Sequence, residues 1–206
     1  MNFEEGHFFH IYGRANSNYE ILFKEEANYF FFLKKYQEYL SLFFHTICYC
    51  LLPNHFHFLV KAVYLSDLKD EKYKEIENYT KNKFKPDRFS KPVRFEEVEL
   101  EFSNFLVQKI SNFLNCYTKS FNKVYNRRGS LFQRPTKSKH ISSENYLQRV
   151  VRYIHCNPQK HKYINEIENW QFSSYPDYVG LPLKPDRFKV IFWKPDRFKV
   201  NCLLTI

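Results

Sequence analysis

Apolar and polar positions along this chain alternate with two periods, and the switches between them mark out its elements. Residues 7–12, HFFHIY, are aromatic and β-branched and stop at Gly13, which predicts a strand followed by a loop through Asn16 to Asn18. From about Lys24 to Leu42 the period is helical: Ala27, Phe30, Phe31, Leu33, Tyr36, Tyr39 and Leu40 recur at helical spacing, with Lys34, Lys35 and Glu38 between them. Residues 45–52, HTICYCLL, predict a second strand, Pro53 and Asn54 a tight turn, and residues 55–62, HFHFLVKA, a third strand, so the three form a β-hairpin. Side chains alternate across a strand, which puts His55, His57 and Leu59 on one face and Phe56, Phe58 and Val60 on the other.

Residues 63–102 are mixed in charge, carry Pro86 and Pro92, and keep no sustained period; they read as a loop or insertion with a short helix. Helical spacing returns from Phe102 to Tyr125, where Leu106, Ile110, Phe113, Leu114, Tyr117, Phe121 and Val124 fall on one stripe that NRRG, ending at Gly129, terminates. After the basic stretch SLFQRPTKSKHI, Ser142 or Ser143 suits an N-cap and Glu144 the positive first turn of a last helix. Leu147, Val150, Val151 and Ile154 form its buried stripe, and Pro158 should end it at about Asn157. Strand, helix, hairpin, helix, strand and helix describe an α+β fold, with helices packed on one face of an antiparallel sheet. The pentapeptide KPDRF occurs at 85–89, 184–188 and 194–198. Two tandem copies are too few for a solenoid, and each Pro would interrupt a strand ladder, so these copies read as peripheral insertions. The expected organisation is one catalytic domain over 1–180, with the insertion at about 63–102, and a KPDRF-repeat tail over 181–206.

Charge sharpens this picture. The chain carries +10 overall, yet residues 103–162 alone hold twelve Lys and Arg against one acid, Glu144, a net +11 that leaves −1 for the rest. Such concentration is the footprint of a polyanion whose phosphates are bound with counterion release. Within it, Lys119, Lys123, Arg127, Arg128, Arg134, Lys137 and Lys139 are the candidate DNA-binding residues. Tyr117, Tyr125 and Phe132 are interleaved with these cations and could stack unpaired bases, although burial in the core is the better reading for all three. No apolar run approaches the ~20 residues of a membrane span, and the first residues lack the pattern of a signal peptide, so a cytoplasmic protein is expected. Five cysteines, odd in number and irregular in spacing, predict free thiols.

Candidate chemistry lies in two places. A His-x-His pair on a strand presents two imidazoles side by side, suited to two ligands of one metal. Tyr153 and Asn157, four residues apart at a helix end, share one face, so a phenol and an amide oxygen can approach the sheet together. His55, His57 and Asn157 would leave a bound Mg²⁺ or Mn²⁺ its full charge, able to polarise a phosphodiester, while Tyr153 would attack it. A free phenol titrates near ~10, so the metal or a neighbouring cation must assist; Lys160 and His155 are candidates.

Four ordered motifs, LPNHFHFLV (52–60), FNKVYNRRGSLFQR (121–134), YLQRVVRYIHCNPQKH (146–161) and WQFSSYPDY (170–178), resemble the REP-associated tyrosine transposases of the HUH single-strand transposase superfamily. The opening FFHIYGRAN is similar to that family's first strand. The resemblance implies a ferredoxin-like, RNA-recognition-like fold, with metal ligands at His55, His57 and Asn157 and the nucleophile at Tyr153. It further implies binding of a folded DNA hairpin and cutting of the single strand beside it, leaving a 5′-phosphotyrosine and a free 3′-hydroxyl. A homodimer and a monomer are equally compatible with it. The chain departs from the family in the 63–102 segment, in QRPTKSK, where the family tends to have a basic-aromatic pair, and in the KPDRF tail.

Two other readings compete. Cys48, Cys50, His55 and His57 read C-x-C-x4-H-x-H and would suit a structural zinc module, although zinc pairs are usually separated by two to four residues. A non-catalytic DNA-binding protein of domesticated transposase descent would keep the charge and the fold without the chemistry.

Overall fold

A computed structural model describes residues 1–17, 21–84 and 95–180 of the chain. Four strands, β1 (Phe8–Arg14), β2 (Phe44–Leu52), β3 (His55–Ala62) and β4 (Lys137–Ile141), form one antiparallel sheet in the order β2-β3-β1-β4. Helix α1 (Glu26–Leu40) links β1 to β2, and α2 (Asp70–Phe84) and α3 (Phe95–Val124) link β3 to β4. This is the βαββαβ connectivity of a ferredoxin-like fold. Helix α4 (Glu144–His155) and the short α5 (Asn157–Lys160) follow β4.

Strand alternation decides what each face of the sheet meets. Phe9 and Ile11 of β1 and Phe56, Phe58 and Val60 of β3 pack against Phe32, Leu33 and Tyr36 of α1 and Leu106, Ile110 and Phe113 of α3, the main core. Helices α1 and α3 thus cover one face, as expected, but the last helix, expected on that face with them, lies on the other. The opposite face is covered by α4, whose Leu147, Val150, Val151 and Ile154 bury Cys48, Cys50 and Leu52 of β2, Leu59 of β3 and Ile141 of β4. Each such aliphatic side chain contributes ~1.5–3 kcal/mol on burial, which fixes α4 on the face that carries His55 and His57.

Several local outcomes differ from the pattern-based reading. β1 does not stop at Gly13 but runs to Arg14. Gly13 faces Phe56, and a Cβ there would meet the Phe56 ring at 2.8 Å, so the glycine admits the ring instead of ending the strand. In β2 a bulge between Thr46 and Cys48 shifts the register, so Thr46 bonds Tyr36 of α1 while Cys48 and Cys50 face α4. The segment read as loop with a short helix contains a full 15-residue α2, and α3 begins at Phe95, before the expected Phe102. α2 escapes a search for a broad apolar stripe because Ile76 and Thr80 are its only fully buried described side chains. Ile76 reaches the core and Tyr73 and Tyr79 pack against it, and the helix is further supported by acids in its first turn, Lys81 and Lys83 in its last, and ion pairs to α3, Lys83 with Glu101 and Glu75 with Lys109.

Ser143 caps α4, its Oγ accepting from Tyr146 N. Pro158 does not end that helix; α4 closes at His155, and Pro158 lies in the first turn of α5, where its missing N–H costs nothing. The segment from Trp170 to Ser174 lies along the outer edge of β2, with Leu51 N bonded to Phe172 O, Ser174 N to Tyr49 O and Trp170 Nε1 to Leu51 O. It covers an edge that would otherwise offer unpaired backbone groups. Cys48, Cys50, Cys116 and Cys156 are free thiols, as expected. Among the described residues no helix is long and apolar enough to cross a membrane. The three KPDRF copies and the 181–206 tail lie outside the described residues.

Candidate active site

The hairpin, β1 and α4 converge on an open cleft of about 780 Å³ lined by His10, Tyr12, Arg14, His55, His57, Lys137, Lys139, Tyr146, Arg149, Tyr153, Lys160 and His161, among others. Each predicted member of the catalytic set lies at or beneath this cleft. His55 and His57 stand one above the other on β3, ring centroids 5.2 Å apart and nearly perpendicular. Tyr153 projects from α4 with its ring 5.5 Å from that of His57 and is 40% exposed, open to a substrate. Asn157, one turn on, is fully buried.

Hydrogen bonds fix the orientation of these donors. Asn157 Nδ2 donates to the Tyr153 carbonyl at 3.3 Å, which turns its Oδ1 towards His55 Nε2, 3.5 Å away. On its other side His55 Nδ1 meets Asn54 Oδ1 at 2.6 Å. Both amide oxygens can only accept and a neutral imidazole carries one proton, so the ring can satisfy one of them; the shorter contact, to Asn54, favours the proton on Nδ1 and leaves the Nε2 lone pair beside Asn157 Oδ1. Burial pushes His55 down to about 4, against the opposing contact with Asn157 and aided by His161 and Arg14, so the ring is neutral at pH 7. Two lone pairs, on His55 Nε2 and Asn157 Oδ1, therefore face each other, an arrangement that favours a cation between them. His57 is also held well below its ordinary value, chiefly by burial, and its Nε2 is buried without a hydrogen-bond partner among the described residues.

The donor set fits a divalent cation: two neutral imidazoles and one amide oxygen, with His57 Nε2 unpartnered among the described residues and Asn157 Oδ1 3.5 Å from His55 Nε2. No group of three His, Cys, Asp or Glu suited to a metal gathers among the described residues, this cleft included; the third donor of the set here is an amide. Cys48 and Cys50 sit in the apolar layer under α4, where burial pushes both thiols well above their ordinary value. That environment opposes the thiolates a zinc module requires.

The two candidates for assisting Tyr153 separate. Lys160 Nζ lies 5.2 Å from the Tyr153 ring centroid and lines the cleft. His155 is fully buried on the far side of α4, its Nε2 2.9 Å from Ser174 Oγ, which also accepts from Tyr49 N. It ties α4 to the edge segment on β2 and does not reach the phenol. Burial pushes His155 down to about 3 and His10 down to about 4. The linkage has one sign for all three rings. Their unfolded value is ~6.5, so the unfolded chain binds protons first as pH falls. Stability is complete above pH ~6.5 and declines by up to ~1.4 kcal/mol per pH unit per imidazole, until each folded value is reached. Metal-free protein should accordingly show a clearly lower urea midpoint at pH 5 than at pH 7; equal midpoints would contradict these buried neutral rings.

Of the seven predicted DNA-binding residues, Lys137 and Lys139 on β4 line the cleft. Lys119 and Lys123 are exposed on α3, beyond the opposite face of the sheet. Arg128 and Arg134 are exposed at the turn and approach to β4, and Arg127 donates to Asn122 Oδ1 and the Gly129 and Ser130 carbonyls, tethering that turn. Tyr117 and Phe132 are core, and Tyr125 bonds Glu25 and Asn28 of the α1 cap, so none of the three is an open platform. The cleft adds residues that the sequence reading did not assign to it: Arg14, Arg149, His161, His10, Tyr12 and Tyr146. Lys139 Nζ and the Arg149 guanidinium lie 5.3 and 5.8 Å from the Tyr146 ring centroid, an aromatic flanked by cations. All six lie within FFHIYGRAN and YLQRVVRYIHCNPQKH, but their meeting at one cleft required the fold.

No family model matches the chain. It is 23% identical over 143 residues to a protein of Haemophilus influenzae described as a putative REP-associated tyrosine transposase. That match covers 69% of this chain and 65% of the relative, a little under two thirds of the relative's length. Among solved structures, a REP-associated tyrosine transposase bound to a REP hairpin superposes with a TM-score of 0.52 and 13% identity, over 95% of this chain and 93% of that one. In sequence and in fold, this chain is similar to the REP-associated tyrosine transposases.

Proposed function

We propose that this chain is a member of that family: a metal-dependent single-strand DNA endonuclease and strand transferase that acts beside DNA hairpins through a 5′-phosphotyrosine at Tyr153. The observation that carries the reading is the convergence of three donor groups, the His55 and His57 imidazoles and the Asn157 amide oxygen, with an accessible phenol at the mouth of a basic cleft. His55, His57 and Asn157 would hold Mg²⁺ or Mn²⁺, which would supply charge stabilisation at the scissile phosphate.

The chain's own groups account for the remainder. Arg14, Lys137, Lys139, Arg149 and Lys160 bind the phosphates, and Tyr146 and Tyr12 offer faces to unpaired bases. Tyr153 Oη attacks phosphorus; the new Tyr–O–P bond replaces the P–O3′ bond, and the departing oxygen takes up a proton to become a 3′-hydroxyl. Rejoining is the reverse, the 3′-hydroxyl attacking the phosphotyrosine and releasing the phenol, so phosphodiester energy is conserved and no water is consumed.

The test is a labelled single strand carrying a hairpin, incubated with protein and Mn²⁺, then resolved on a denaturing gel. Label that stays with denatured protein supports the reading, and binding without an adduct supports the non-catalytic alternative. Affinity should also fall with salt, at a log–log slope of roughly −2 to −3.5 for three to five single-strand phosphates. Lys139→Glu with Arg149→Glu should weaken binding more than Lys119→Glu with Lys123→Glu, as measured by fluorescence anisotropy. The reverse order would move the interface to the α3 face.

A further inference from the structure

His10 is a further imidazole at this site, and nothing in the catalytic chemistry above uses it. It lies on β1 opposite Leu59, diagonal to His57, which pairs with Tyr12; alternation puts His10, Tyr12, His57 and Leu59 on one face. Its ring stacks on that of His57 with centroids 5.0 Å apart, and its Nε2 is 2.9 Å from His57 Nδ1. One proton must lie between those two nitrogens, and its owner decides the state of His57. If His10 donates, the His57 proton is on Nε2, where a buried N–H finds no acceptor among the described residues and the nitrogen cannot bind a cation. If His57 donates, its Nε2 is a bare lone pair beside His55.

We propose that His10 is a positioning residue that accepts the His57 Nδ1–H bond and so holds His57 in the tautomer whose Nε2 can ligate a divalent metal. This inference rests on the metal-site reading above and deepens it. Asn54 stands in the same relation to His55, accepting from its Nδ1. Each imidazole is thereby oriented by a separate acceptor, one from the hairpin turn and one from the neighbouring strand. Such outer partners set both ring orientation and basicity of a ligand.

Two measurements test it. In metal-free wild-type protein, ¹⁵N imidazole spectra should find the His57 proton on Nδ1; a proton on Nε2 overturns the proposal without recourse to any variant. Mn²⁺ titration followed by electron paramagnetic resonance should give ~10–100-fold weaker binding for His10→Phe, which keeps a stacking ring but offers no acceptor. His10→Gln, whose amide oxygen can accept, should recover part of the loss, whereas an acidic or basic effect of bulk alone would not be rescued. Unchanged Mn²⁺ affinity in a folded His10→Phe overturns the proposal and leaves the metal-site reading standing. Wild-type protein that takes up no Mn²⁺ overturns that reading, and this one with it.

Discussion

Replacing Tyr153 with Phe is expected to abolish the covalent protein–DNA adduct while leaving DNA affinity within about 1 kcal/mol of the wild type. The change removes one oxygen from a side chain that is 40% exposed. No hydrogen bond of the core is broken, and the fold should be unaffected within ~0.5 kcal/mol, the usual range for a surface change. Two further phenols, Tyr12 and Tyr146, line the same cleft and supply the necessary controls. Tyr12→Phe and Tyr146→Phe should weaken substrate binding at most and still form the adduct. An adduct retained by Tyr153→Phe but lost in one of the others would transfer the nucleophile to that residue.

The second large effect concerns the three proposed metal donors. His55→Ala, His57→Ala and Asn157→Ala should each weaken Mn²⁺ binding beyond the ~10–100-fold typical of losing an outer-shell partner, and should suppress cleavage in parallel. Asn157→Asp provides a sharper comparison, because it keeps an oxygen facing His55 and adds negative charge; it should retain metal while altering the rate. Cys48→Ala and Cys50→Ala should leave Mn²⁺ binding unchanged, since both thiols are buried in the apolar layer beneath α4. Cleavage that persists in chelator, or in all three alanine variants, would remove the metal from the mechanism. Loss of fold together with bound zinc in the cysteine variants would revive the zinc module.

Much of the framework was legible along the chain because local periods were strong. The β3 alternation placed Phe56 and Phe58 opposite His55 and His57, and the α4 stripe of Leu147, Val150, Val151 and Ile154 is the one that is buried. Ser143 at the cap and the two-residue turn at Pro53–Asn54 also follow from local chemistry, capping and turn preference. Helix phase was less legible where apolar residues run without interruption. In α1 the deepest side chains are Tyr29, Phe32, Leu33, Tyr36 and Leu40, and Phe30 and Phe31 are only partly buried, because a stretch apolar on all sides leaves the facing to the packing partner. α2 was illegible for the opposite reason: most of its positions are polar, only Tyr73, Ile76 and Tyr79 turn to the core, and no local period records its ion pairs to α3.

The site divides along the same line. Residue types and spacing nominated His55, His57, Tyr153 and Asn157, since period two on a strand and a four-residue step on a helix are local geometry. Their convergence is tertiary: α4 lies on the imidazole face only because its aliphatic stripe buries Cys50, Leu52 and Leu59 and because His155 is bonded to Ser174 at the edge of β2. Charge shows the contrast most clearly. The +11 segment was evident as a count, but a count has no direction, and the fold sends Lys119 and Lys123 to one side of the sheet and Lys137 and Lys139 to the other. Arg14 and His10 reach the cleft from residues more than a hundred positions away from Tyr153, through the pairing of β1 with β3 and β4. Linear order determined which candidate chemical groups this chain carries; long-range strand pairing and burial decided which of those groups meet, because only they bring distant backbone into register.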